Sequence, residues 1–211
     1  MTTLLMLITA AIAYFLGNFN AASILSRILG RKGTDARDEA PSLAVYSRTF
    51  GPVGVGLIIL GDVLKSLAAV WIGGLILRDT EAAVVGRLFA GFCLIMGHEF
   101  PVVYRYKGRS GLLCGFLTAV LADWRVGFGC LAIYLLVLIF FRYLSLAGIV
   151  APLFSPILLW MFTHETIEGT LALLCALLIV LRFAENILNL ITGTEPRLEF
   201  RQSGSRSRRR G

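Results

Sequence analysis

The chain has 211 residues, 57% of them hydrophobic, with a mean hydropathy of +0.79 and a formal net charge of +7. Several apolar runs reach the ~20 residues that a helix needs to cross the hydrocarbon of a bilayer. This excludes a water-soluble globular domain and predicts an all-α, polytopic helical membrane bundle. The charge is concentrated, because residues 196–211 hold six Arg against one acid, Glu199; they are expected to form a basic, disordered cytoplasmic tail behind a membrane-embedded domain over 1–195.

The first apolar run, 4–29, has no basic region before it and is as long as a span, so it reads as a membrane helix rather than a cleaved leader. Its patch of Gly17, Asn18, Asn20, Ala21, Ala22 and Ser23 suits close helix packing. The polar loop 30–51 carries Arg31, Lys32, Arg37 and Arg48, with Arg27 just upstream. An excess of Lys and Arg marks the cytoplasmic side and puts the N-terminus outside. The second helix, 52–77, opens on Pro52, which a first turn tolerates. Within it Asp62 and Lys65 lie three apart and share one face. Charges at that depth are costly unless paired or turned to a polar cavity, which leaves two readings open: an ion pair pinning helices together, or a functional pair facing a cavity.

The third helix, 83–96, ends at 97–115, which reads GHEFPVVYRYKGRSGLLCG. Phe100-Pro101 makes a rigid turn, and Arg105, Lys107 and Arg109 are interleaved with Gly108, Gly111 and Gly115. Backbone amides there can approach an anion with no Cβ in the way. A phosphate site is expected, the alternative being the positive-inside charges of an ordinary cytoplasmic loop. Four further helices follow: 112–122, short enough to be tilted or re-entrant, then 126–141, 146–162 and 170–190. That makes about seven, with the C-terminus cytoplasmic. The stretches 30–51, 97–111 and 186–195, together with Ser145, then share the inner face, so one interfacial site can draw on all of them. Cys93, Cys114, Cys130 and Cys175 lie in or beside apolar runs without metal-ligand spacing and read as small hydrophobes. No nucleotide, metal or flavin signature is visible, and GRKG at 30–33 is too short for a phosphate-binding loop. The Arg-rich tail is expected to meet anionic lipid headgroups rather than nucleic acid.

DVLK at 62–65, GHEFPVVYRYKG at 97–108, RYLSLAG at 142–148 and ENILNLITGTEP at 185–196, in this order, resemble the bacterial acyl-phosphate:glycerol-3-phosphate acyltransferases. The resemblance implies a seven-helix protein of the inner membrane. Facing the cytoplasm, it would make lysophosphatidate from glycerol 3-phosphate and acyl phosphate with no bound cofactor or metal. Departures fall in the family's motifs. Its glycine-rich GSGNxGATN reads DEAPSLAV here, KGGKG reads KGRSG, and HRxNI reads FAENI, with Phe183 and Ala184 in place of His and Arg. On the resemblance, Arg37, Arg48, Lys107, Gly108, Arg109 and Gly111 hold phosphate, while Ser145 and Asn186 orient the substrate. His98 is the candidate base, its alternative being a helix-end histidine that caps carbonyls. Three functions stay open: the acyltransferase, a catalytically silent relative that binds lipid, substrate or a partner protein, and a small transporter using Asp62 and Lys65. The absence of an internal repeat weighs against the last.

Overall fold

The structure, a computed structural model, describes residues 2–28, 43–79, 83–104, 106 and 108–198, with 26, 27, 43–46, 48 and 104 described by backbone alone. Every regular element among the described residues is helical: α1 Thr2–Asn18, α2 Ala21–Ile28, α3 Leu43–Leu77, α4 Ala83–Glu99, a 3-10 turn Val102–Tyr104, α5 Leu112–Ala122, α6 Trp124–Phe141, α7 Leu144–Thr163, α8 Thr166–Leu181 and α9 Ala184–Thr192. Three of these are long and apolar enough to cross a membrane singly, and α8 with α9 makes a fourth if the bent pair is one span. The apolar helices α1, at 17 residues, and α5, at 11, are shorter.

Three elements differ from expectation. The run 4–29 is two helices, because Asn20 Oδ1 accepts hydrogen bonds from the amides of Ala22 and Ser23 at 3.0 and 3.2 Å. A short polar side chain that takes backbone amides competes with a continuous helix and caps a new one. The loop 30–51 is partly helical, since α3 begins at Leu43 and kinks at Gly51, whose φ of 68° and ψ of −177° lie outside the range of side-chain-bearing residues. Pro52 follows and removes one amide from the turn. The run 170–190 is likewise two helices, α8 and α9, bent by 62° at Arg182-Phe183.

The centre of the bundle is α4, which packs against α1, α3, α5 and α8. Its Ala90, Cys93, Leu94 and Ile95 join Ala13, Ala69, Val70, Cys114, Cys175 and Ile179 in one buried core. Lower on the same helix, Leu88 packs with Ala122, Val126, Cys130, Leu159 and Ala172. All four cysteines are free and buried, in keeping with small apolar side chains. Lipid tails are as apolar as leucine, so helices in a membrane associate through close backbone approach. The α1·α4 crossing is such a place: a Cβ on Gly97 would run into the Tyr14 carbonyl, and one on Gly17 would lie 2.9 Å from the Gly97 Cα.

Gly97→Ala is therefore expected to lower stability by about 1–3 kcal/mol through overpacking, read from unfolding in detergent. Gly56→Ala, where an added Cβ meets nothing within 4 Å, should leave stability unchanged or raise it by up to ~1 kcal/mol through helix propensity. Equal losses in both would sink the packing argument.

Candidate active site

The break between α1 and α2 leaves backbone carbonyls at the end of α1 without helical partners. The Phe19 carbonyl is taken by Lys65 Nζ at 2.9 Å. The same ammonium lies 2.9 Å from Asp62 Oδ1 and 2.8 Å from His98 Nδ1, so its three protons meet three acceptors. Asp62 Oδ2 in turn sits 3.3 Å from Arg109 Nη1. Both Asp62 and Lys65 are about 95% buried. The geometry is thus an ion pair extended into a network linking α1, α3, α4 and the loop after α4. An ammonium has no lone pair, so His98 Nδ1 accepts and the proton of the neutral ring lies on Nε2. His98 neither caps carbonyls with Nδ1 nor leaves that nitrogen open to act as a base.

After α4 the chain turns back on itself. Tyr14 Oη donates to the Phe100 carbonyl at 3.0 Å, and the Tyr106 amide donates to the Pro101 carbonyl at 2.9 Å, Tyr106 itself standing at a φ of 62°. The Gly108 amide donates to the Glu99 carbonyl at 3.1 Å, and the Gly111 amide to Glu99 Oε1 at 2.8 Å. These two amides, expected to face an anion, are spent inside the protein. Gly108 is a glycine for space, because a Cβ there would collide with the carbonyl oxygen of His98. From the end of α8, Arg182 Nη2 donates to the Gly108 carbonyl at 2.6 Å. Arg37 and Lys107 lie outside the described residues. Arg48 lies on α3 before the Gly51 kink, described by backbone alone.

Ser145 and Asn186, placed far apart in sequence, meet through a third residue. Ser145 Oγ donates to Glu195 Oε1 at 2.5 Å, and Asn186 Nδ2 donates to the same oxygen at 3.0 Å. Ser145 is buried in the first turn of α7. Glu195 arrives there because Gly193, at a φ of 72°, ends α9 in the left-handed conformation that favours glycine. The amides of Thr194 and Glu195 then return to the Asn189 carbonyl. The chain beyond is pinned to the α6–α7 junction, where the Leu198 amide meets the Arg142 carbonyl at 2.8 Å and Arg197 Nε meets Tyr143 Oη at 2.7 Å. Phe183 is half-buried against the α4-centred core, and its ring would obstruct any Cβ placed on Gly148.

Sequence reasoning found Asp62, Lys65, His98, Arg109, Ser145 and Asn186, all of which enter one of these two networks. It did not single out Glu99 or Arg182, and it noted Glu195 only as a motif position. The loop Gly108–Gly111 belongs to the first network: its Arg109 reaches Asp62 and its Gly108 is held by Arg182, while Leu112 after it packs with Phe183 beside Gly148. Among the described residues no cluster of His, Cys, Asp and Glu could hold a metal ion.

A family model described as glycerol-3-phosphate acyltransferase matches residues 7–193. A glycerol-3-phosphate acyltransferase of Cupriavidus taiwanensis is 30% identical over 200 residues, covering 91% of this chain and 96% of the relative. One of Vibrio cholerae is 32% identical over 193 residues, covering 88% and 87%. Among solved structures, the integral membrane glycerol 3-phosphate acyltransferase PlsY in its glycerol 3-phosphate form shares the fold. It has a TM-score of 0.77 at 24% identity, covering 92% of this chain and 96% of that one. Its lysophosphatidic acid form gives the same TM-score at 23% identity.

Removing one partner of a buried ion pair strands the other charge. Lys65→Met is expected to cost about 3 kcal/mol of stability, and the combined Asp62→Asn, Lys65→Met variant to cost less than Lys65→Met alone. Chemical unfolding in detergent compares the two; a double variant as unstable as the sum of its singles would contradict the network.

Proposed function

The chain belongs to the glycerol-3-phosphate acyltransferase family, and from that premise we propose that it transfers a fatty acyl group from an acyl phosphate to glycerol 3-phosphate, forming lysophosphatidate. The observation that carries this reading is the convergence of Ser145 and Asn186, 41 positions apart, on one oxygen of Glu195. Acyl phosphate is a mixed anhydride. The glycerol hydroxyl oxygen attacks the carbonyl carbon, the carbon–oxygen bond to phosphate breaks, and phosphate departs with the electron pair. The hydroxyl proton can pass to the departing phosphate, so neither a covalent enzyme nucleophile nor His98 as base is required. What the protein must supply is position and charge stabilisation. Arg37, Arg48, Lys107 and Arg109 are the cations for the two phosphates, with Arg guanidinium suited to bidentate contact. Gly108 and Gly111 contribute the compact turn rather than their amides, while Ser145 and Asn186 orient substrate oxygens.

The acyl chain has a seat close by. A cavity of about 230 Å³ lies between α5, α6, α7 and α8, lined by Leu113, Phe116, Leu131, Tyr134, Ala151 and Ile179 among others. Its α5 wall starts immediately after Gly111, so a carbonyl at the loop would direct its chain into apolar surroundings. The strong excess of Lys and Arg on one side supports a multi-pass protein of the bacterial inner membrane with the site facing the cytoplasm and the N-terminus outside. In this reading the span count is about seven, and residues 196–211 meet anionic headgroups. A second reading, a silent relative that binds substrate without turning it over, is favoured by one observation: Phe183 fills with an aromatic ring a position where the family resemblance implies a histidine.

Turnover of palmitoyl phosphate and radiolabelled glycerol 3-phosphate by the purified protein separates the two. Activity is expected, reduced at least 10²-fold in a Lys107→Ala, Ser145→Ala double variant. Binding of either substrate without turnover would establish the silent relative. For the cavity, Ala151→Phe is expected to lower the rate with palmitoyl phosphate about tenfold more than with octanoyl phosphate; equal effects on both chains would move the acyl seat elsewhere.

A further inference from the structure

Two residues outside the phosphate-binding and substrate-orienting sets, Glu99 and Arg182, meet at the backbone of the Gly108–Gly111 turn. Glu99 is the last residue of α4 and is fully buried. Its carbonyl accepts from the Gly108 amide and its Oε1 accepts from the Gly111 amide, at 3.1 and 2.8 Å. Arg182 ends α8 and donates to the Gly108 carbonyl at 2.6 Å across 74 positions of chain.

We propose that Glu99 and Arg182 are positioning residues that set the backbone of the Gly108–Gly111 turn and so how Arg109 is presented to a phosphate-bearing substrate. Each peptide group is planar, so anchoring the Gly108 carbonyl fixes the plane shared with Arg109, and anchoring the Gly111 amide fixes the plane shared with Ser110. Both planes are anchored here. Glycine is the residue with the widest range of backbone conformations, and a free Gly108 would leave Arg109 held only through its side-chain contact with Asp62. The carbonyl is held by a charge-assisted bond, stronger than a neutral one. A carboxylate is a costly group to bury at a position flanked by Ile95. An aliphatic side chain would serve packing there, whereas Glu99 holds the exit of the turn through Gly111.

The kinetic arm of the test rests on the acyl-transfer reading above; a second arm does not. Arg182→Ala should raise KM for glycerol 3-phosphate about tenfold with kcat changed less than threefold, and Arg182→Lys, which still donates to the carbonyl, should return KM to within threefold of the parent. Glu99→Leu should raise KM similarly. The double variant should be no worse than the poorer single, because both act through one turn; multiplied effects, or an unchanged KM in Arg182→Ala, would overturn the proposal. Independently of turnover, maleimide labelling of an introduced Ser110→Cys, with the native cysteines buried, should become at least threefold faster on adding Arg182→Ala. An unchanged labelling rate would also overturn it. If the parent protein shows no turnover, the acyl-transfer reading falls and the labelling rate alone decides the clasp. If Glu99→Leu fails to fold, Glu99→Gln, which keeps the acceptor for Gly111, should label at the parent rate, and faster labelling there would count against Oε1 as the anchor.

Discussion

A single ammonium group constrains most of this bundle. Lys65 lies within the apolar length of α3, where an unsatisfied charge is prohibitively costly. Its three acceptors come from positions 19, 62 and 98. They coincide only if α1 ends where it does, α3 runs unbroken from Asp62 to Lys65, and α4 continues to His98. The close α1·α4 crossing at Gly17 and Gly97 follows from the same demand, because it brings the Phe19 carbonyl and the His98 ring to one point. Through Asp62 the constraint extends to Arg109, so the cationic loop is tied to the interior at one end.

The helices that hydropathy located best are α5, α6 and α7. Their ends are marked by Asp123, whose side chain caps α6 by accepting from the Arg125 amide, and by Arg142, which ends α6 in a left-handed conformation. Charged residues bounding apolar runs are visible to any sequence reading. The break at Asn20 was not, because its cause is a side chain bonding two amides rather than a change in polarity. The α8–α9 bend was hidden for a related reason: Leu188 and Ile191 keep the run apolar although the helix axis has turned.

Within the site, motif likeness pointed to Ser145, Asn186 and Lys107 because such residues stand at fixed places in short strings. Glu99 lies inside the string GHEFPVVYRYKG with no role implied by the resemblance, and Arg182 precedes FAENI by one place. Their partners are backbone groups of a loop elsewhere in the chain, a relation that leaves no local pattern. Glu195 was legible as a matching letter, yet its work in joining Ser145 to Asn186 appears only when α7 and α9 are brought together. Phe183 is the converse case. The substitution was obvious in the string, and the structure supplies what the ring does: it packs beside Gly148 and Leu112 against the α4-centred core.

Helix α9 has no buried residue, and its Leu188 and Ile191 are 63% and 77% exposed. A short amphipathic helix of this kind, set at an angle to the one before it, has the form of one that lies along a membrane surface. Asn186 is on that helix and shares Glu195 with Ser145, so with α9 lying on a bilayer the membrane surface would form one wall of the proposed site. Solubilisation replaces that wall with whatever amphiphile surrounds the protein. The choice of detergent or nanodisc lipid is then a structural variable of the site, on the same footing as a side chain.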